Sequence, residues 1–583
     1  MLKNLLRKPT VCIVIIILLF LVSVFPTIER YGIGYDEQIG LDIAHSNIFQ
    51  EGGWLNGSPL FLTKTRLPTY FTAIIFSILK TDGILAARMV SLLLGIFTII
   101  GVYVFCKLKY DEKVGLVACF LLAVSPFFLS LSRFAFSESD VFITCSLIWL
   151  MVCLSILDRR KTVGWAIVTA IVLGLALSSK ISAISLFPAV LFIIMFSFSK
   201  DYIAQENSSF MDKKNIILLG VLLTLLFFAI FGFWVIAYAS KSITYTGPLI
   251  IIHFLLFTIL WLIIIVYCYF HRNLVMRPHI LFFFILAFAL LTFLVIPPVH
   301  TTNPYMLKYL IKNAFAQYVD RSLSFILEAA SLHIGSVLFK SSLLMGAWFL
   351  LSFFITICQA RYRKDVRLPI IVFAFYFLFV LKLPYAQTYY MMPLLPILAI
   401  FAADQYIRFF NKKQFYAIVY GFFAGFLLII DIFLFYPDYN LNGYQWLGAR
   451  YLGGRSTIGY RSIVQTTSDG IEQALKWANN NIPAEKVVVT YIIAGHIVRA
   501  VSPHPKFQII NGLQKSKPVI EDADYVITSI NSDIRQGWGN DNPMGDIYKY
   551  RYDVKLLKAN FTKVFSVKRA FGIEVAGVWR KNG

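Results

Sequence analysis

The sequence has few charged residues, and its long polar stretches contain no cysteine. Only 14% of the 583 residues are Asp, Glu, Lys or Arg, whereas 58% are hydrophobic. The seven cysteines lie in or at the ends of apolar runs, and no CxxC motif occurs. These absences exclude an ordinary soluble globule and argue against a disulfide framework or a cysteine metal site. The composition instead predicts an α-helical polytopic membrane protein.

Two further classes of binding site lack support in the sequence. The C-terminal region contains neither the Rossmann nor the P-loop glycine pattern, so no nucleotide site is expected there. The formal net charge is +22, but many Lys and Arg residues lie in short loops between apolar runs. Membrane topology explains that placement without nucleic acid, and the positive excess favours anionic lipid headgroups and phosphates.

Apolar runs of membrane-spanning length recur along residues 1–436. Their predicted bounds are 10–28, 84–106, 114–132, 140–157, 162–180, 181–199, 215–239, 248–270, 280–297, 341–359, 367–383, 388–407 and 415–436. One more run, 67–79, is too short to cross a bilayer, which needs about 20 residues. We predict that it forms a helix lying at the membrane interface.

The distribution of positive charge predicts the topology. With the N-terminus in the cytoplasm and 67–79 left out of the count, the most basic short loops all fall on the cytoplasmic side. No small-residue cleavage site follows the first run, so we expect an uncleaved first helix. The prediction is a multi-pass plasma-membrane protein with about thirteen spans. Its outer face receives loop 29–83, the turn Arg133–Asp140, loop 298–340 and everything after residue 436.

The chain is predicted to have two domains, a transmembrane domain over 1–436 and a small extracytoplasmic α/β domain over 437–583. The second region contains a helix-like run near 471–481. Strand-like runs follow at 486–493, 507–510, 525–530 and 572–579.

Two adjacent carboxylates, Asp36 and Glu37, follow the first apolar run. Carboxylates at a membrane boundary are candidates for a general base or a metal ligand, and a solvated loop start is the alternative. Lys64 and Arg66 lie in the same predicted outer loop. They suit a phosphate contact, or equally an anchor that snorkels to the interface.

The second predicted outer turn reads Ser132-Arg-Phe-Ala-Phe-Ser-Glu-Ser-Asp140 and precedes a helix-like run. A Ser-x-Glu or Ser-x-Asp pattern makes a helix N-cap, and the helix dipole favours acids there. That interpretation accounts for Asp140 but leaves Arg133 less well explained.

These segments, taken in order, resemble the GT-C type glycosyltransferases, and within them the family 39/83-like protein mannosyltransferase and lipid A aminoarabinose transferase relatives. The resemblance covers most of residues 1–436. The matching segments are Asp36-Glu37, Arg66-Leu-Pro-Thr-Tyr70, Arg133-Phe-Ala-Phe-Ser-Glu138, Leu175-Ala-Leu-Ser-Ser-Lys180 and Tyr390-Met-Met-Pro-Leu-Leu-Pro396.

The sequence departs from the family pattern at several positions. The basic segment has the single proline Pro68, and Tyr389 stands where the family usually has Arg before Tyr390. Lys382, one short loop upstream, is the candidate replacement for that arginine. The Trp-Trp-Asp signature of the oligosaccharyltransferase branch is absent.

The resemblance implies a GT-C fold and a glycosyltransferase that takes its sugar from a polyprenyl-phosphate donor. The acceptor would be a hydroxyl or phosphate of a glycolipid, polysaccharide or protein at the outer face, with inversion at the anomeric carbon. The implied catalytic residues are Asp36 and Glu138, with Glu37 and Asp140 as supporting acids. The implied phosphate-binding residues are Arg66, Arg133, Lys180, Lys382 and Tyr390.

The sequence leaves two questions open. A divalent metal cation held by Asp36 and Glu138 and metal-independent catalysis are equally compatible with it. A transporter or flippase of a lipid-linked saccharide is the alternative function. Transporters carry charged or broken-helix sites near the midplane, whereas here the polar groups gather on one predicted face, which favours the enzyme.

Overall fold

The structure is a computed structural model. It describes 9–25, 66–80, 83–135, 140–160, 162–179, 323–381, 388–412, 471–490, 508–511, 523–529, 554–568, 574–583 and scattered single positions, among them 28, 37, 40, 41 and 44.

The described part of the N-terminal half is helical. The helices are α1 (Pro9–Val24), α2 (Arg66–Leu79), α3 (Ile84–Lys109), α4 (Glu112–Val124), α5 (Pro126–Leu131), α6 (Val141–Arg160) and α7 (Val163–Ser179). Each overlaps a predicted apolar run, so these helices are confirmed. The run 114–132 is split into α4 and α5, because Ser125 is extended and Pro126 starts the next helix without an N–H to donate.

Helix α2 is amphipathic, as the short run 67–79 predicts. Thr72, Ala73 and Phe76 are buried on one side, whereas Phe71 and Ile78 are exposed on the other. The helix is therefore confirmed, and its position at a membrane interface stays a prediction.

Further helices follow in the second described stretch. They are α8 (Leu323–Lys340), α9 (Leu343–Gln359), α10 (Arg367–Val380), a 3-10 helix (Thr388–Leu394) and α11 (Leu395–Lys412). Helix α8 lies inside segment 298–340, which we predicted to be a loop, so that prediction missed a helix. Glu328, His333 and Lys340 interrupt its apolar pattern. Gly346 lets α9 approach α8 closely, because a Cβ there would lie 2.6 Å from the Val337 carbonyl oxygen.

One hydrophobic core joins both stretches of helices. Phe20 of α1, Phe105 of α3, Leu150 of α6, Phe349 of α9 and Phe401 of α11 all belong to it. In the described residues, three helices are long and apolar enough to cross a membrane: Ile84–Lys109, Val141–Arg160 and Tyr390–Asn411. The fold is mainly helical. The count of about thirteen spans stays a prediction, since several predicted runs lie outside the described residues.

The C-terminal region contains a mixed five-stranded sheet. Its elements are α12 (Ile471–Asn481), β1 (Val487–Thr490), β2 (Gln508–Asn511), β3 (Tyr525–Ser529), α13 (Val554–Asn560), β4 (Phe561–Lys568) and β5 (Glu574–Lys581). The strand order is β2-β1-β3-β5-β4, with β1 parallel to β2 and β3 and with β5 antiparallel to both its neighbours. Helix α12 and four strands match the predicted runs, whereas β4 and α13 were not predicted.

Candidate active site

A buried carboxylate, Glu37, is held by an arginine from helix α3. The Arg88 Nε donates to Glu37 Oε1 at 2.9 Å, and Nη2 donates to Oε2 at 2.7 Å. Both side chains are almost fully buried, at 0% exposure for Glu37 and 1% for Arg88. Such a bidentate pair fixes position and orientation together. The first predicted outer loop is thereby attached to the first turns of α3.

The same carboxylate reaches the second predicted outer turn. The backbone N–H of Ala135 donates to Glu37 Oε1 at 2.7 Å. The Arg88 guanidinium also lies over the Phe134 ring, 5.6 Å from its centroid. We call Glu37, Arg88 and Ala135 the Glu37 cluster. It links two segments that sequence reasoning assigned to one site and that are 98 residues apart in the chain.

The end of helix α1 joins the same place. Arg88 Nη1 donates to the Ile28 carbonyl oxygen at 2.6 Å, and Arg133 Nη2 donates to the Ser23 carbonyl oxygen at 3.4 Å. Arg133 is buried, at 1% exposure. Arg133 is therefore bound to the last turn of α1, and Arg88 is bound to the segment that follows α1. Because Glu37 already compensates the charge of Arg88, Arg133 is the cation that suits an anionic group near this end of the helices.

Asp140 stands at the start of α6, where the sequence predicted a helix cap. Its backbone is in the left-handed region, at φ 51°, which is uncommon for a residue other than glycine. Its carbonyl oxygen accepts from the Thr144 N–H at 3.0 Å and from the Thr144 hydroxyl at 2.7 Å. Asp140 is buried. Helix α6 therefore begins directly after Asp140, and the bonds described for Asp140 are made by its backbone carbonyl. Capping by its side chain stays a prediction.

Tyr390, the predicted phosphate-binding tyrosine, is buried in the 3-10 helix. That 3-10 helix packs against α5, α6 and α8. It therefore borders the short helix that leads into Arg133 and the helix that begins after Asp140.

The other predicted site residues cannot be placed with their side chains. Asp36, Glu138, Lys180 and Lys382 lie outside the described residues. Arg66 begins helix α2, but its side chain is not among those described. The candidate metal ligands Asp36 and Glu138 thus remain predictions. Within the described ranges, no group of three or more His, Cys, Asp or Glu side chains is arranged to hold a metal ion.

Sequence reasoning missed Arg88. It lies inside an apolar run and 51 residues from its carboxylate partner. The sequence did carry a signal for this pair, because a charged residue such as Arg88 within a membrane-length apolar run requires a partner. The acidic pair that follows the preceding helix, Asp36 and Glu37, offered that partner.

A second charged cluster lies at the far end of α3. We call Asp404, Arg363 and Arg408 the Asp404 cluster, in which Asp404 accepts from Arg363 Nη1 at 2.6 Å and from Arg408 Nε at 3.0 Å. Arg363 lies over the Tyr110 ring, one residue beyond α3. Burial lowers the pKa of Arg363, but its bonds to Asp404 and Asp365 outweigh this and raise the pKa overall.

The second cluster gathers loops that were predicted to be cytoplasmic. Lys109 at the end of α3 pairs with Asp158 at 3.0 Å, and the Arg363 loop packs over Tyr110. Residues 88 and 109 are 21 positions apart in one helix, which corresponds to about 31 Å. The basic loops and the Glu37 cluster are therefore at opposite ends of α3, and their assignment to opposite sides of a membrane stays a prediction.

Comparison with known proteins finds one family profile and several similar solved structures. Residues 64–234 match the family profile described as dolichyl-phosphate-mannose-protein mannosyltransferase. The fold is similar to that of ArnT from Cupriavidus metallidurans bound to undecaprenyl phosphate. That match has 13% identity and a TM-score of 0.50, and it covers 98% of this chain and 97% of that chain. These matches indicate a glycosyltransferase: residues 64–234 are similar to a mannosyltransferase family, and the chain as a whole is similar in fold to ArnT.

Other solved structures are similar to this chain at lower scores. Apo ArnT from Cupriavidus metallidurans has 12% identity and a TM-score of 0.49, covering 98% of this chain and 97% of that chain. The archaeal oligosaccharyltransferase AglB from Archaeoglobus fulgidus, with an inhibitory peptide and a dolichol-phosphate, has 14% identity and a TM-score of 0.47. The match covers 98% of this chain and 74% of AglB. No curated protein sequence matches this chain.

The family match covers only part of the candidate site. The segment 64–234 contains Arg66, Arg88 and Arg133, but it begins after Asp36 and Glu37. The geometric link between the acidic pair and the matched segment is therefore the Glu37 cluster itself.

Proposed function

We propose that the protein transfers a sugar from a polyprenyl-phosphate donor to a hydroxyl or phosphate acceptor at the outer face of the membrane. The acceptor belongs to a glycolipid, a polysaccharide or a protein. ArnT in the similar structure is bound to undecaprenyl phosphate, which supports a lipid phosphate as the leaving group here. The single observation that carries the proposal is the Glu37 cluster.

The Glu37 cluster brings the two candidate catalytic segments together. Asp36 is the chain neighbour of Glu37, and Glu138 follows Ala135 by three residues, which span at most about 11 Å. Glu37 Oε1 and the Ala135 nitrogen are 2.7 Å apart, so the described residues that flank the two candidate acids in sequence meet. Two acids near one sugar suit proton removal from an acceptor and its support.

In the proposed reaction, Asp36 accepts the proton of the acceptor group. The acceptor oxygen attacks the anomeric carbon, the bond from that carbon to the phosphate oxygen breaks, and polyprenyl phosphate leaves with the electron pair. Attack opposite the leaving group inverts the anomeric configuration. Glu138 supports Asp36 or shares a divalent cation with it.

Cationic and hydroxyl groups hold the leaving phosphate in this proposal. Arg133 is buried beside the Glu37 cluster, and Tyr390 lies in the 3-10 helix next to α5. Arg66, Lys180 and Lys382 complete the proposed set. Charge-assisted hydrogen bonds strengthen as the phosphate acquires charge in the transition state, so this set would lower the barrier.

The enzymatic test is release of polyprenyl phosphate from a polyprenyl-phosphate sugar by the purified protein. We expect turnover by the wild type and a loss of at least about 100-fold in Asp36→Asn and in Glu138→Gln. Full activity in both variants would refute the assigned residues. A wild type that binds the donor but only moves it across vesicles would support the flippase instead.

The proposed arrangement puts the site and the domain 437–583 outside the cell, with the N-terminus in the cytoplasm. Membrane-impermeant labelling of single cysteines at positions 110 and 560, in a cysteine-free background, tests this. Position 110 should be labelled only from the cytoplasmic side and position 560 only from the outside. Labelling of both from one side would refute the topology.

A further inference from the structure

A basic turn with an exposed tyrosine joins α9 to α10 at the end of the molecule that carries the Asp404 cluster. Arg361, Lys364 and Arg367 are exposed, and Tyr362 is 80% exposed. We call these four residues the Arg361 patch. Within the described part of the chain, none of its three cations forms a salt bridge. The patch therefore presents positive charge at the surface.

The rest of the turn is held on the helices. Arg363 is mostly buried, and its guanidinium donates to Asp365 in the turn and to Asp404 of α11. Val366 is fully buried in the hydrophobic core. Because these inward contacts fix the backbone of the turn, the cations of the patch are held close together before any partner binds. The two acids are already bound by arginine.

Two contacts place the charges of the patch without compensating them. Arg367 Nε donates to the Ala360 carbonyl oxygen at 3.3 Å, and its Nη2 donates to the Arg361 carbonyl oxygen at 3.1 Å. The Arg361 guanidinium lies over the Tyr362 ring, 5.8 Å from its centroid. Carbonyl oxygens and an aromatic ring carry no formal charge, so a full anion still suits the patch.

An apolar stripe runs along α9 from the patch. Leu351, Phe354 and Ile357 are exposed, and their spacing of three residues places them on one side of the helix. Leu351 and the last residue of α9, Gln359, are 8 positions apart, which corresponds to about 12 Å. One leaflet of a bilayer has a hydrocarbon layer about 15 Å deep. The stripe thus has the length of a phospholipid acyl chain in its leaflet.

We infer that the Arg361 patch and the apolar stripe bind an anionic phospholipid of the membrane. The three cations hold the headgroup phosphate, and the acyl chain lies along the stripe. Tyr362 stands at the level of the headgroups, where aromatic side chains are enriched, and cations at this level attract anionic lipids. The inference is independent of the proposed sugar transfer and of which side of the membrane the patch faces.

The competing explanation is that these cations only direct topology. Positive loops fix the orientation of neighbouring helices during insertion, and this needs no lipid bound to the finished protein. The two roles therefore differ in the folded protein. A lipid site prefers an anionic headgroup at the patch, whereas a topology signal gives no local preference.

The test measures lipid binding directly beside the patch. Cys358 is exposed at the end of α9. In the full-length protein with the other six cysteines replaced, a fluorophore on Cys358 reports contact with lipids whose acyl chains carry bromine as a quencher. Brominated phosphatidylglycerol and phosphatidylcholine with the same acyl chains are compared in mixed detergent micelles. We expect phosphatidylglycerol to quench at a lower mole fraction than phosphatidylcholine.

The decisive variant is Arg361→Gln/Lys364→Gln. The mole fraction of phosphatidylglycerol needed for half quenching should rise about fivefold for each charge removed, and the curve for phosphatidylcholine should not move. Arg361→Lys/Lys364→Arg keeps both charges and should keep the preference. Lys113→Gln removes an exposed lysine beside the start of α4, at the same end of the molecule, and should leave both curves unchanged.

A second label position tests whether the preference is local. Leu344 is exposed at the opposite end of α9. With Cys358 also replaced, a fluorophore at Leu344→Cys should be quenched equally by the two lipids. An equal preference for phosphatidylglycerol at both labels would overturn a site at the patch.

Three further results would overturn the inference. The first is equal quenching of the Cys358 label by the two lipids. The second is an unchanged preference in the folded Arg361→Gln/Lys364→Gln protein. The third is loss of the preference when inorganic phosphate is added at constant ionic strength, which would assign the patch to a free anion instead of a lipid.

Discussion

The two ends of helix α3 carry charge clusters that are built differently. In the Glu37 cluster, the fully buried Glu37 carboxylate accepts from two nitrogens of Arg88, Nε and Nη2, and from the backbone N–H of Ala135. In the Asp404 cluster, one carboxylate is shared by two arginines, of which Arg408 is half exposed, at 48%. About 31 Å of helix separates the two, close to the thickness of a bilayer core.

The different construction of the two clusters indicates that they have different roles in the protein. A buried ion pair is weak evidence for stability by itself, because desolvation cancels much of the attraction. A buried ion pair does fix the positions of its two side chains, because removing either one leaves the other as an unpaired buried charge. In the Asp404 cluster Asp404 is buried as well, but its partner Arg408 is half exposed, so solvent can replace that one partner. We therefore expect the Glu37 cluster to control both folding and activity, and the Asp404 cluster to control only local stability.

The largest expected effect is that of Arg88→Met. This change leaves the Glu37 carboxylate buried without its guanidinium, so unfolding should become easier by about 3–5 kcal/mol, and transfer activity should be lost. Chemical unfolding in detergent measures the first effect. A double-mutant cycle with Glu37→Gln should show strong coupling, because each change alone leaves the other partner buried without its ionic partner. Additive effects would contradict a direct pair.

The second prediction concerns Glu37→Gln, which keeps the size of the side chain and removes its charge. The anchor of the first outer loop is weakened, so the neighbouring Asp36 loses its orientation. Since small misplacements at a reacting centre cost about 100-fold, turnover per folded molecule should fall by that order. Steady-state kinetics of the folded fraction measure this. Normal turnover in a folded Glu37→Gln protein would show that the pair does not position the site.

Asp404→Asn should lower stability less than Arg88→Met does, and it should leave turnover nearly unchanged. It removes the charge from the hydrogen bonds with Arg363 and Arg408, so unfolding should be easier by about 1–2 kcal/mol. Turnover should stay within twofold of the wild type, because this cluster lies at the other end of α3. A large loss of turnover would mean that the two ends are coupled.

The smallest expected effect belongs to an exposed pair in the C-terminal sheet. The Val487 N–H first, and Lys486 in addition, lower the pKa of Asp524 below its ordinary value of 3.8. A lowered folded pKa means that Asp524 stabilises the fold above pH 3.8 and that this contribution is lost as pH falls through the folded value. Because the side chains are about 40% exposed, the contribution is about 0.5 kcal/mol.

Hydrogen exchange of the β1 amides in the wild type and in Asp524→Asn checks this pH dependence. The difference in protection should be present at neutral pH and should shrink as the pH falls below 3.8. A difference that grows with acidity would contradict the sign.

Hydrophobic pattern predicted the helices well, because long apolar runs leave few alternatives in a bilayer. It failed where a helix carries buried charge. Lys340 and His333 broke the pattern of α8, and the helix exists because its other residues pack on α9. Pro126 divides one predicted run into α4 and α5, a boundary that its missing N–H explains.

The candidate site was predicted in part. The sequence named Glu37 and Arg133 as parts of one site, but it could not reveal Arg88, since ion pairing over 51 residues is a property of tertiary packing. The order of the family-like segments along the chain pointed to the two segments that contain Glu37 and Arg133. The contact between Glu37 and Ala135 shows that the two segments meet.

The most direct test of the account is the rate of polyprenyl phosphate release per folded molecule in Asp36→Asn and Asp404→Asn, two matched changes at opposite ends of α3. The account predicts a loss of at least about 100-fold in Asp36→Asn and a rate within twofold of the wild type in Asp404→Asn. Equal rates in the two variants would contradict it.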